Sequence, residues 1–175
     1  MMGLISEDMK ISLENIVAHC FYGNRILDRI CSLLAVDFVM PNTGGILHTQ
    51  LAHKYPLLAD DVTNYMESRD CSAIYGETPR GDKIYESPLV CFNEILEINL
   101  KLESLIKDSI KLSLDENDYT TKIFLESFLL KILPITGDAL TLVDKAERYG
   151  ESDMSWMRFD SHIKGFGIFQ DKVED

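Results

Sequence analysis

Residues 87–149 read SPLVCFNEILEINLKLESLIKDSIKLSLDENDYTTKIFLESFLLKILPITGDALTLVDKAERY, and this stretch decides the fold. Ser87 offers an N-cap hydroxyl, and Pro88 has no backbone donor to lose at a first helical position. A helix is therefore expected from 88 to about 114. Asp115-Glu116-Asn117 is a short turn, and a second helix should run from 118 to 149, where Gly150 stops it. A turn that short forces the two helices antiparallel. The inner stripe of the second helix reads Phe128, Ile132, Ile135, Ala139 and Leu142, which is plain core.

Toward the N-terminus, Leu13, Ile16, Val17, Cys20, Phe21, Leu27, Ile30, Cys31 and Leu34 recur three or four apart, so residues 7–34 are expected to form another helix. Pro41, Asn42, Gly44 and Gly45 then read as a turn. Leu47, Leu51, Tyr55, Leu58, Val62 and Met66 resume the period over 46–69. Pro56 inside that helix predicts an interruption near Gln50 to Ala52, because proline removes a hydrogen bond to the carbonyl four residues back. Residues 70–86 contain Gly76, Pro79 and Gly81 without periodicity. A connection of this length reaches roughly 50 Å when extended, whereas a helix of about 27 residues measures roughly 40 Å, so it can run the full bundle length and leave helices two and three parallel. Residues 151–175 hold Trp156, Phe159, Phe166 and Phe169, too aromatic for a free tail. They are expected to form a short helix or arm covering the bundle or a neighbouring subunit.

The reading is all-α: four long helices in two antiparallel hairpins joined by a long crossover, with 1–175 as a single domain. With 175 residues and 46% hydrophobic content, the chain can bury a substantial core. A formal charge of −12 disfavours nucleic acid, whose phosphates demand lysine and arginine. No basic start followed by an apolar run opens the chain, and no stretch of about 18 apolar residues occurs, so a membrane is not expected and the cytoplasm is. Cys20, Cys31, Cys71 and Cys91 lack CxxC spacing and read as reduced thiols. Gly-rich phosphate loops, nucleophile elbows and HExxH pairs are also missing from the sequence.

Tyr85-Glu86-Ser87-Pro88-Leu89 followed by Phe92-Asn93-Glu94-Ile95-Leu96 resembles the entry to the third helix of ferritins. Asp115-Glu116-Asn117-Asp118-Tyr119-Thr120-Thr121, then Phe124-Leu125-Glu126-Ser127-Phe128, resembles the ferritin turn between helices three and four. Arg69 fits the same register, and Pro41-Asn42 with Leu47-His48 is similar to the Dps-type mini-ferritins. The resemblance implies a ferritin-like bundle and, in relatives with the full ligand set, two iron ions held by carboxylates and a Glu-x-x-His pair, Fe(II) oxidation and a hollow shell.

Carried over on the Asp118-Tyr119 turn, the helix-three glutamate falls on Asn99 and the helix-four pair on Ile132 and Ile135. Carried over on Arg69, the Glu-x-x-His falls on Tyr55 and Leu58. The di-iron ligands are therefore expected to be missing, as a metal-free bundle requires, since unpaired interior carboxylates would each cost several kcal/mol. Asn99, a polar residue on an apolar stripe, needs a partner, and Tyr55 can supply one across the bundle. Pro134 should bend helix four and open a small pocket.

Other candidate binding residues are weaker. His48 and Glu67 match the spacing of two ligands in the intersubunit iron site that mini-ferritins imply, but the companion positions fall on Val36 and Thr63. Asp60 and Asp61 are adjacent, point about 100° apart, and read as solvated surface. His19, His53 and Lys54 lie off metal-binding spacing. Apolar residues such as Leu96, Ile98, Leu100, Leu102 and Leu105, with Phe21, Tyr22 and Ile26, spread over more than one helix face, so a homodimer at least is expected.

The leading expectation is a non-catalytic structural or interaction protein with a degenerate metal site and no cofactor. Iron storage with ferroxidase activity at a displaced site built from His48, Glu67, Asp60 and Asp61 is the alternative, and a small-molecule binder using a vacated cavity around Tyr55, Asn99 and Pro134 is the third.

Overall fold

In the computed structural model, residues 4–170 are described. The elements are α1 (Glu7–Val36), α2 (Pro41–Leu47), a π turn (His48–Ala52), α3 (Lys54–Ser68), α4 (Pro88–Asp115), α5 (Tyr119–Tyr149), α6 (Asp153–His162) and a 3-10 turn (Ile163–Phe166). Residues 171–175 of the expected C-terminal arm lie outside the described residues.

The capping chemistry sets the ends. Ser6, Ser87 and Asp118 each accept a hydrogen bond from the backbone N–H three residues on, at Met9 (3.0 Å), Val90 (3.3 Å) and Thr121 (3.0 Å). Asn117 takes φ 58° in the α4–α5 turn, a conformation asparagine tolerates better than most residues. The two helices pack antiparallel along their length.

Cross-helix contacts fix the topology. Gly23 of α1 lies against Tyr55 of α3, and Ile98 of α4 sits at the same level. Toward the start of α1, Ser12 meets Ser109 of α4 (2.6 Å), and the Leu4 N–H donates to the Arg69 carbonyl just past α3 (3.1 Å). Both α3 and α4 therefore run antiparallel to α1 and parallel to each other. The crossover makes this possible by climbing alongside α1. The Ile74 N–H donates to Glu14 (2.8 Å), Gly76 rests on Ala18, Gly81 on the Arg25 stem, and Arg29 donates to the Lys83 carbonyl (3.2 Å). Lys83 then pairs with Glu94 at the start of α4. Four long rods in two hairpins with one long crossover are the ferritin-like architecture.

The second rod begins at Pro41 rather than 46, which corrects the expectation that Pro41 to Gly45 forms a turn. Pro41 occupies the first helical position. Met40 cannot cap, and the cap arrives from the far end of the chain. Asp160 of α6 accepts from the Thr43 N–H and hydroxyl (both 2.7 Å), from the Asn42 side chain (2.9 Å) and from the Asn42 N–H (3.3 Å). Gly44 is required by proximity, because a Cβ there would stand 2.7 Å from the Cys31 carbonyl. The first helix also extends two residues beyond the expected 34.

The C-terminal arm covers this end of the bundle. Phe159 packs on Phe92 (centroids 5.4 Å), Phe166 (5.2 Å) and Tyr149 (5.5 Å), and the Phe169 N–H donates to Asp138 (2.8 Å). Replacing Asp160 with Asn removes a buried charge that closes a helix N-terminus. We expect a loss of about 2–3 kcal/mol, since bonds to charged groups contribute about 1.5–3 kcal/mol. Urea unfolding of Asp160→Asn against the unsubstituted protein checks this.

Candidate functional site

The centre of the bundle is the place where polar chemistry would have to reside. Tyr55 and Asn99 are both fully buried there. The Tyr55 hydroxyl donates to Asn99 Oδ1 (3.0 Å), and Asn99 Nδ2 donates to the Ile95 carbonyl (2.8 Å). Space is tight: a Cβ on Gly23 would stand 2.4 Å from the Tyr55 ring. Burial pushes the Tyr55 phenol well above its ordinary range, with Cys20 adding to it. Cys20 itself is pushed up to about 12 by burial, so it is a thiol, not a thiolate. On α5 the inward positions are Phe128, Ile132, Ile135 and Ala139, all buried.

Among the described residues the buried carboxylates are Glu103 and Asp160, and both are engaged. Burial alone would raise the Glu103 carboxyl. Hydrogen bonds from Lys107 (2.8 Å) and Thr136 outweigh it and hold the group below its ordinary range.

The interruption predicted from Pro56 is a π turn at His48–Ala52. Pro56 has no N–H for the Ala52 carbonyl, and Asn24 of α1 donates to that carbonyl instead (3.1 Å). A π turn stacks residues five apart, and this brings the His48 and His53 rings to 4.4 Å between centroids. Asp28 of α1 lies 3.6 Å from His48 Nε2, with both side chains about half exposed. Metal-binding spacings of three or four residues on a regular helix do not include this pairing, which spans five.

The remaining candidates lie apart. Asp61 pairs with Lys131 (2.9 Å), while Asp60 and Glu67 are exposed. His48 and Glu67 are 19 positions apart on one rod, roughly 28 Å at 1.5 Å per residue, so within one chain they do not meet. Among the described residues no three His, Cys, Asp or Glu side chains converge so as to hold a metal ion. Pro134 leaves α5 continuous and lines a surface groove with Leu57, Asp61, Lys131 and Phe169, away from Tyr55 and Asn99.

The fold is an all-α, ferritin-like four-helix bundle with a short C-terminal helix. An open-pore ferritin from the hyperthermophilic archaeon Archaeoglobus fulgidus superposes with a TM-score of 0.84 at 18% identity, over 91% of this chain and 96% of that one. A humanized archaeal ferritin gives 0.83 at 19% identity, over 91% and 95%. A closed form of the A. fulgidus ferritin made by site-directed mutagenesis gives 0.83 at 17%, over 91% and 96%. No protein-family model and no curated protein sequence matches the chain. Among the described residues no helix is long and apolar enough to cross a membrane.

Two measurements test the centre. Tyr55→Phe leaves Asn99 Oδ1 buried without a donor and should cost about 1–3 kcal/mol, whereas removing both partners in Tyr55→Phe/Asn99→Leu should recover much of it. A double-mutant cycle in urea reads this. His19, half-buried, donates from Nε2 to the Ile98 carbonyl (2.8 Å). Burial lowers it from 6.5, the backbone bond opposes, and Lys101 lowers it further. A lowered histidine is neutral in the folded chain, so its stabilisation holds above 6.5 and is lost as pH falls below that value through the folded pKa. The difference in thermal midpoint between the protein and His19→Gln should narrow across that range.

Proposed function

We propose that this chain is a ferritin-like bundle whose metal centre has degenerated, serving as a non-catalytic structural or interaction protein that self-associates. One observation carries the reading: the buried Tyr55 hydroxyl and Asn99 amide satisfy each other, and the buried stripe of α5 is Phe128, Ile132, Ile135 and Ala139, with no carboxylate in it. Iron is a hard cation that needs several inward oxygen or imidazole ligands whose charge neutralises it. An amide and a phenol held protonated by burial do not meet that need. Glu103 and Asp160, the buried carboxylates among the described residues, are committed to Lys107 and to the α2 N-terminus. The iron that the fold implies therefore does not fit these residues.

The solved structures compared above are ferritins, which keeps iron storage as the competing reading. The test is metal analysis of protein exposed to Fe(II), with oxygen consumption followed in parallel. We expect sub-stoichiometric iron, no oxidation, and no change in His48→Ala/Glu67→Ala. Two irons per chain with oxygen consumption would overturn the reading. Uptake abolished by the double variant would place iron handling at the displaced site.

A further inference from the structure

Where α1 ends, the turn into α2 and the neighbouring α6 enclose a groove of about 690 Å³. Its walls are apolar: Phe38, Val39 and Pro41 line it from one side, Trp156 and Met157 of α6 from the other. Two carboxylates enter the same lining, Asp37 from the end of α1 and Asp153 from the start of α6, and no lysine, arginine or histidine joins them. Asp160 also borders the groove but is committed to the α2 N-terminus.

Neither free acid is answered within the chain. Among the described residues, Asp37 and Asp153 take part in no ion pair. Asp37 stands, moreover, at the C-terminus of a 30-residue helix whose last turn contains no basic residue. That is the negative end of a helix dipole, where a cation is favoured and a carboxylate is not. The acids, the dipole and a tryptophan wall all attract the same kind of group, a cation on an apolar stem.

We propose that this groove holds an arginine-bearing apolar segment of a partner protein, with the guanidinium paired to Asp37 and Asp153 and its hydrocarbon stem along Trp156. A guanidinium is weakly hydrated, stacks on aromatic rings and offers five N–H donors to carboxylates, so it suits this lining better than an ammonium. A small free cation fits less well. The groove opens onto Val36 (72% exposed), Val39 (71%), Met154 (59%) and Met157 (64%), which a segment covers and a lone cation leaves wet. Methionine is also the side chain that adapts to varied apolar partners. Nucleic acid carries the wrong charge for two unpaired carboxylates. The inference rests on the interaction role proposed above and names the partner's chemistry. The two fail separately, because iron uptake is read by metal analysis and this contact by fluorescence.

Trp156 is the chain's one tryptophan, so its emission reports on the groove directly. The full chain is titrated with an amidated peptide of leucine and arginine at helical spacing, in about 0.15 M salt to screen long-range attraction. We expect a saturable change in emission, and none with the peptide in which glutamate replaces arginine. Asp37→Asn/Asp153→Asn should weaken binding about tenfold or more. Asp108→Asn/Asp115→Asn, an equal change of charge at the opposite end of the bundle, should leave it within about twofold. Met157→Lys sets the chain's own cation in the groove and should abolish binding. All five positions are exposed, so circular dichroism and the thermal midpoint should stay unchanged. Absence of saturable binding, equal weakening by the remote pair and the groove pair, or butylguanidinium binding as tightly as the peptide would each overturn the proposal.

Discussion

A hydroxyl and an amide sealed from water must satisfy each other, and Tyr55 and Asn99 do so where the four rods come together. The consequences spread from that pair. The phenol ring needs room beside α1, and only a glycine at position 23 grants it. The Asn99 amide closes its own helix by donating to Ile95, so α4 crosses the centre without an orphaned donor. With the pair neutral, the surrounding side chains can be hydrocarbon, and α5 supplies it. A single carboxylate in place of Asn99 would demand a cation or a second partner, and the present neighbours provide neither.

Backbone accounting explains the second rod in the same terms. Proline at 56 orphans the Ala52 carbonyl, the chain widens into a π turn, and Asn24 makes good the missing bond from the neighbouring rod. Proline at 41 opens α2, and a carboxylate 119 residues later receives its free N–H groups. The C-terminal arm is thus tied to the first hairpin by charge and to the bundle by Phe159 and Phe169. Pro56 sits where a partner from another element compensates for what it removes, and Pro41 where a first helical position asks for no donor.

What could be read from the sequence was whatever depended on neighbours in the chain. The Asp118 cap, the Ser87-Pro88 start, the long crossover and the inward stripe of α5 rest on local spacing, and each lies where that spacing puts it. The Tyr55–Asn99 bond was legible as well, because an isolated polar residue in an apolar stripe needs a partner of defined type. What escaped depends on residues distant in sequence. Gly44 reads as a breaker until the Cys31 carbonyl is seen against it, and Asp160 reads as an ordinary helix acid until Thr43 is seen beneath it. The His48–His53 stack belongs to a hydrogen-bonding pattern five residues long, which a search at helical spacing cannot register.

The α5 helix shows how an interior can be filled without ions. Its buried positions Thr121, Leu125, Phe128, Ile132, Ile135, Ala139, Leu142 and Ala146 advance by four and three residues alternately, the 3.5-residue repeat that keeps one face on neighbouring helices along the whole rod. Large branched and aromatic side chains at the middle of that stripe occupy volume that charged ligands would otherwise need partners to enter. The stripe therefore makes hydrocarbon packing, rather than coordination, the interaction that holds the fourth rod to the other three.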